Sequence, residues 1–125
     1  MSETLELLQT IHDLAGRRGV FRQDAYFFVL EALEAAVAEH PERPDVTGED
    51  LLTAVRKLGR ERCGVMAPEV CRAWGVRATI DFGLVVFHLV EAGLLKKRER
   101  DSLSDFIDKF DFEDAFSLKV MRGQA

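Results

Sequence analysis

Cysteine is scarce in this chain. Cys63 and Cys71 are the two among 125 residues, too few for a disulfide scaffold. They stand eight apart, without the close CxxC-type pair that a structural zinc site requires. Either one reads as a small core residue with a free thiol. Proline is equally sparse, and two of the three prolines fall in the stretch Pro41-Glu42-Arg43-Pro44-Asp45, the clearest loop in the chain. An excess of positive charge is missing as well. Seventeen basic against twenty-two acidic residues leave −5, which does not suggest a dedicated binder of nucleic acid or anionic membrane, although a local basic patch remains compatible. No apolar run approaches the ~20 residues that span a bilayer. The opening MSETLELLQ is acidic and has no basic segment followed by an apolar one, so a cytoplasmic protein is expected. Phosphate-binding glycine loops (GxxxxGK[ST], GxGxxG), the GxSxG elbow and HExxH are all lacking. The expectation is therefore no cofactor, no metal and no catalytic residue.

What the chain does have is helical patterning. Its most apolar stretch runs from Ala78 to Leu95, and between Leu84 and Val90 only His88 is polar. A segment without a polar face should be enclosed on most sides. The valines within it also suit a strand, but Thr79 as N-cap, Asp81 in the first turn and Gly93 at a C′ position favour a helix. The rest of the chain should be built around this stretch. Gly83 inside it costs up to ~1 kcal/mol relative to alanine. His88 reads as a core histidine with a satisfied hydrogen bond, against a competing metal or catalytic role.

The other elements follow in order. Residues 3–16 suit a first helix with Leu5, Leu8, Ile11 and His12 at helical spacing, Leu7 and Leu14 widening the face, and Gly16 and Gly19 ending it. Residues 23–39 suit a second helix with Tyr26, Val29, Leu30, Leu33 and Val37 facing inward, and Phe27 and Phe28 extending that face. Thr47-Gly48-Glu49-Asp50 matches a capping box, opening a third helix with Leu51, Leu52, Val55 and Leu58 as its stripe, which Gly64 breaks. A short helix over 67–74, with Pro68 in its first turn, precedes the central one. After Leu95 comes the polar Lys96-Lys97-Arg98-Glu99-Arg100. A further short helix would then carry Leu103, Phe106, Ile107 and Phe110, and the aromatics up to Phe116 would pack back as a C-terminal strap. Residues 117–125 read as a tail. The fold class expected is mainly α: a single domain over 1–125 built as a bundle of five to six helices. A winged-helix-like variant with a small β-hairpin near 94–107 stays open.

Several blocks carry a resemblance: Asp24-Ala25-Tyr26 with Val29 to Leu33, Thr47-Gly48 with Leu51-Leu52, Trp74 to Arg77, Asp81-Phe82-Gly83, and Val86-Phe87. They continue in Leu89 to Leu95, Asp101-Ser102, Asp105-Phe106, and Asp111-Phe112-Glu113 to Phe116. Over roughly residues 24 to 116 the chain resembles a family of short uncharacterised bacterial proteins described as restricted largely to Verrucomicrobia and Planctomycetes. The resemblance implies one compact domain and no particular active residue, because that family has no established activity.

Two surfaces stand out as candidates for binding. The first is the acidic, aromatic stretch from 101 to 116. Asp101, Asp105, Asp108, Asp111, Glu113 and Asp114 oppose only Lys109 there, without the ligand order or central glycine of an EF-hand. Phe110, Asp111, Phe112, Glu113 and Phe116 would serve protein docking. The second is basic. Arg56, Arg60, Arg72, Arg77, Lys96 and Lys97 would neutralise phosphates if the short helix 67–74 and the longer one within 78–95 were a helix-turn-helix. Against that, the would-be recognition helix opens Thr79-Ile80-Asp81-Phe82-Gly83, with little to read base edges. The leading expectation is a non-enzymatic interaction or adaptor domain that meets another protein or a second copy. The alternative is a winged-helix-like nucleic-acid-binding regulator.

Overall fold

A computed structural model describes residues 2–42 and 46–95 of the chain. The described part is mainly helical and contains no strand. It comprises α1 (Ser2–Arg18), α2 (Gln23–Glu39), α3 (Gly48–Cys63), α4 (Ala67–Ala73) and α5 (Thr79–Glu91), with a 3₁₀ turn at Gly64–Met66 leading into α4. Four of these are long and α4 is barely two turns. Among the described residues there are thus four long helices and one short one, with neither a sixth helix nor a β-hairpin. Most of 94–107, the further helix at 103–110, the strap and the tail lie outside the described residues.

Local chemistry sets the ends of most elements. The Thr47 hydroxyl accepts from the Asp50 N–H at 3.0 Å, and the Asp50 carboxylate accepts from the Thr47 N–H at 3.1 Å. This is the capping box, satisfying two backbone donors that a helix start leaves open. Both α4 and α5 end in a Schellman arrangement. Val76 N–H reaches Cys71 O and Leu94 N–H reaches Leu89 O, each at 2.9 Å, across Gly75 and Gly93 in the left-handed region. Leu94 and Leu95 accordingly fold back against the core.

Two local expectations fail. Gly16 lies inside α1, and Gly19, with φ 66°, ends it. The N-cap of α5 is Ala78, not Thr79. The Asp81 carboxylate turns back to accept from the Arg77 and Ala78 N–H groups at 2.8 and 3.2 Å. It satisfies the two donors just before the helix, the role of the N3 carboxylate in a capping box, while Thr79 is buried.

The centre of the described part is formed by α2 and α3, not by α5. Helix α2 packs on α1, α3 and α5, while α4 sits on α3 and α5 also reaches α3. The inward arc of α2 is made of Ala25, Tyr26, Phe28, Val29, Ala32 and Ala36. Alanines on a central helix let three neighbours approach closely, whereas the larger Leu30 and Leu33 are only partly buried and Val37 is exposed. The largest enclosed side chains, including Tyr26, Phe82, Ile11, Leu14 and Leu89, belong to one cluster that draws on every helix. Each fully buried large apolar side chain contributes roughly 1.5–3 kcal/mol. The turn between α1 and α2 is held down by Arg22 N–H donating to Trp74 O at 3.0 Å, which ties it to the end of α4.

Candidate interaction surfaces

Five large apolar residues of α1, Leu5, Leu7, Leu8, Ile11 and Leu14, spread over an arc of about 180° at 100° per residue. A stripe facing a single core needs little more than ~100°. The fold covers only part of this arc. Ile11 and Leu14 are fully buried, while Leu5 is 63% exposed, Leu8 46% and Leu7 37%. Every residue from Glu3 to Gln9 is exposed, so the N-terminal half of α1 lies clear of the described core. The expected inward row of Leu5, Leu8, Ile11 and His12 is thus split. His12 is exposed, beside Gln23 Oε1 at 3.2 Å. The excessive arc width was the signal in the sequence. Along one flank of the leucines run Glu6, Gln9 and Asp13, the last two joined by a 2.9 Å hydrogen bond. Phe87 on α5 is a further exposed apolar side chain, 45% accessible.

The C-terminal ends of α1 and α5 meet. Arg18 Nη2 donates to Glu91 Oε1 at 2.7 Å, and the Arg18 Nε is enclosed without a hydrogen-bond partner among the described residues. Beneath lies the buried polar pair of the core, Tyr26 Oη and His88 Nδ1, 2.8 Å apart. Phe21 stands edge-on to Tyr26 and tilted against His88. Burial raises the proton affinity of the Tyr26 phenolate, partly offset by Arg18. Burial also lowers the pKa of His88, with Arg18 adding to that effect and Glu91 opposing it. Both groups are therefore neutral near pH 7, as befits a hydrogen bond taken out of water. His88 is a satisfied core histidine, and no local pattern pointed to Tyr26 as its partner.

The basic residues do not form one cluster. Arg56 and Arg60 are a helical turn apart on α3, and the charge of Arg60 is disfavoured first by burial and then by Arg56. Arg72 pairs with Glu69 at 2.9 Å, Lys57 with Glu39 at 3.2 Å, and Arg62 with Glu31. Arg77 is exposed just before α5. The exposed side chains of α5 are Phe87 and Glu91, neither of which suits base recognition. Lys96, Lys97, Phe110, Asp111, Phe112, Glu113 and Phe116 lie outside the described residues.

Between α2 and α3 runs a groove of about 390 Å³. Ala35, Ala36, Ala54 and Leu58 are among its lining residues, together with Glu39, His40, Asp50 and Lys57. His40 Nε2 lies 3.4 Å from Asp50 Oδ1. Among the described residues no three His, Cys, Asp or Glu side chains are grouped to hold a metal ion. No described helix is long and apolar enough to cross a membrane. Cys71 is buried and its pKa is pushed up to about 12, by burial first and by Cys63 second. Compared with protein-family models, curated proteins and solved structures, the chain matches none.

Proposed function

We propose that this chain is a non-enzymatic interaction or adaptor domain of the cytoplasm, and that it meets another protein through the leucine row of α1. The observation that carries this is the exposure of Leu5 and Leu8, which stand one turn apart on the same face of a well-formed helix. Apolar side chains gathered on a surface favour a covering partner, and a helix draws most of its stability from packing an apolar face. Glu6 and Asp13 beside that row select a partner carrying apolar side chains flanked by basic ones. The test is a photoreactive residue at position 8 of the full chain, cross-linked in cells, with the captured protein then purified and titrated against the chain. Leu5→Glu with Leu8→Glu should weaken that binding by about a hundredfold, the effect of losing ~2–3 kcal/mol of contact. Unchanged affinity would sink the proposal.

A second reading, nucleic-acid binding, is favoured by the Arg56 and Arg60 pair. Anisotropy of labelled duplex DNA, single-stranded DNA and RNA across a salt series tests it. Saturable binding that falls steeply with salt and is lost in Arg56→Glu with Arg60→Glu would promote it over the first. No binding at low salt would remove it.

A further inference from the structure

We infer that the partner met by α1 is a second copy of this chain, and that the two copies pack antiparallel along α1 in a two-fold symmetric dimer. The inference rests on the interaction-domain reading and names its partner.

The face comes first. At 100° per residue, Leu5, Gln9, His12 and Gly16 fall within an arc of about 60°, on the side of α1 opposite the buried Ile11 and Leu14. All four are exposed. Leu8 and Ala15 lie together on one flank of this strip, and Glu6 and Arg17 lie together on the other. Glu6 and Arg17 are both exposed, and neither has an ion-pair partner among the described residues.

The two halves of the helix differ in a complementary way. The N-terminal half offers exposed leucines and the acid Glu6. The C-terminal half offers the small Ala15, Gly16 and Gly19 and the base Arg17. A Cβ added at Gly16 or Gly19 would meet nothing within 4 Å, so the outer surface there is low and open.

One register then satisfies every contact. Antiparallel packing that sets Glu6 level with Arg17 of the second copy also sets Leu8 level with Ala15 and Asp13 level with Thr10. Two-fold symmetry makes each contact twice. Leu5 falls between Gly16 and Gly19 of the other helix. Glu3 lies beyond that helix's last turn, so no acid is set against an acid. Gln9 and His12, which can hydrogen-bond, meet near the axis. A parallel pair would instead place Glu6 beside Glu6 and Arg17 beside Arg17. Charge therefore selects the antiparallel order, and the second copy supplies the base that the acidic flank of α1 calls for.

Sedimentation equilibrium of the full purified chain over a concentration series is the test. A single helix pair is a small interface, so a dimer that dissociates at about 10–100 µM is expected. Leu5→Glu with Leu8→Glu should leave a monomer throughout. Glu6→Arg alone and Arg17→Glu alone should each weaken the dimer about tenfold, because each sets like charges against one another at both ends. Combining the two restores opposite charges, and the dissociation constant should return to within about threefold of the parent chain. Circular dichroism verifies that these surface variants keep their helices. A monomer at every concentration would overturn the inference. So would a dimer that survives Leu5→Glu with Leu8→Glu, or a charge-swapped chain that associates no better than either single variant. In each of these cases, titration of a cellular protein captured at position 8 still decides the interaction-domain reading, so the two failures are told apart.

Discussion

Removing the Tyr26 hydroxyl tests the structure at its core. Tyr26 is fully buried and His88 is 7% exposed, with their polar atoms 2.8 Å apart. Tyr26→Phe keeps the ring, its edge contact with Phe21 and nearly all its apolar area, so the change isolates the hydrogen bond. The loss has two parts: the net value of a neutral bond, about 0.5–1.5 kcal/mol, and the cost of leaving His88 Nδ1 enclosed without a partner, which brings the total to about 2 kcal/mol. His88→Leu, which orphans the Tyr26 hydroxyl instead, should cost a similar amount. The double variant leaves no orphan, because two apolar groups of similar shape replace both partners. It should cost about 1 kcal/mol or less above wild type, giving a coupling of about 2–3 kcal/mol. Urea unfolding measures all four proteins. The midpoint should shift at constant slope, and each single variant should melt roughly 6–10 °C lower. Single effects that add to the double within about 0.5 kcal/mol would refute the reasoning, since they would mean the two groups are not bonded in solution.

Further outcomes follow from the same structure. His88 has a folded pKa below its ordinary 6.5, from burial and then Arg18, so on falling pH the unfolded chain takes up that proton first. The stabilisation is complete above 6.5 and is lost progressively as pH falls from there toward the folded value. Urea midpoints measured from pH 7.5 to 5 should drop over that window, and the His88-dependent part of the slope should vanish in His88→Leu. Gly75→Ala should destabilise by about 3 kcal/mol or more, because a Cβ there would stand 2.7 Å from Val20 O at φ 96°. Gly93→Ala, with φ 80° and nothing within 4 Å, should cost only about 1–2 kcal/mol; equal melting shifts for the two would contradict the packing of the α1–α2 turn against α4. Cys63 is partly exposed and Cys71 buried with its thiol pushed up to about 12. A maleimide at pH 7.5 should thus modify one thiol of the native protein quickly and the second only on unfolding. Equal rates for both thiols would place Cys71 outside the core.

Much of the secondary structure was written locally. The bounds of α2, the capping box at Thr47, the stop of α3 at Gly64 and the end of α5 at Gly93 each depend on a few adjacent residues whose backbone groups need particular partners. Asp81 shows the limit of that logic: a carboxylate in the first turn was legible, but the cap falls on Ala78, whose N–H that carboxylate accepts, one residue before the expected Thr79. Orientation was a matter for the tertiary structure. An apolar arc on α1 wider than one neighbour can cover has more than one way to face inward, and only the position of α2 put Ile11 and Leu14 in the core and left Leu5 and Leu8 outside. The burial of alanines rather than Leu33 and Val37 on α2 likewise reflects three helices needing to approach it closely. Tyr26 with His88, 62 residues apart, and Arg18 with Glu91, 73 apart, are pairs that no local pattern announces. The chain by itself determined where helices begin and end, because those requirements are satisfied within a turn. Which faces are buried, and which leucines remain open to a partner, was decided only when the helices packed, because burial belongs to pairs of surfaces.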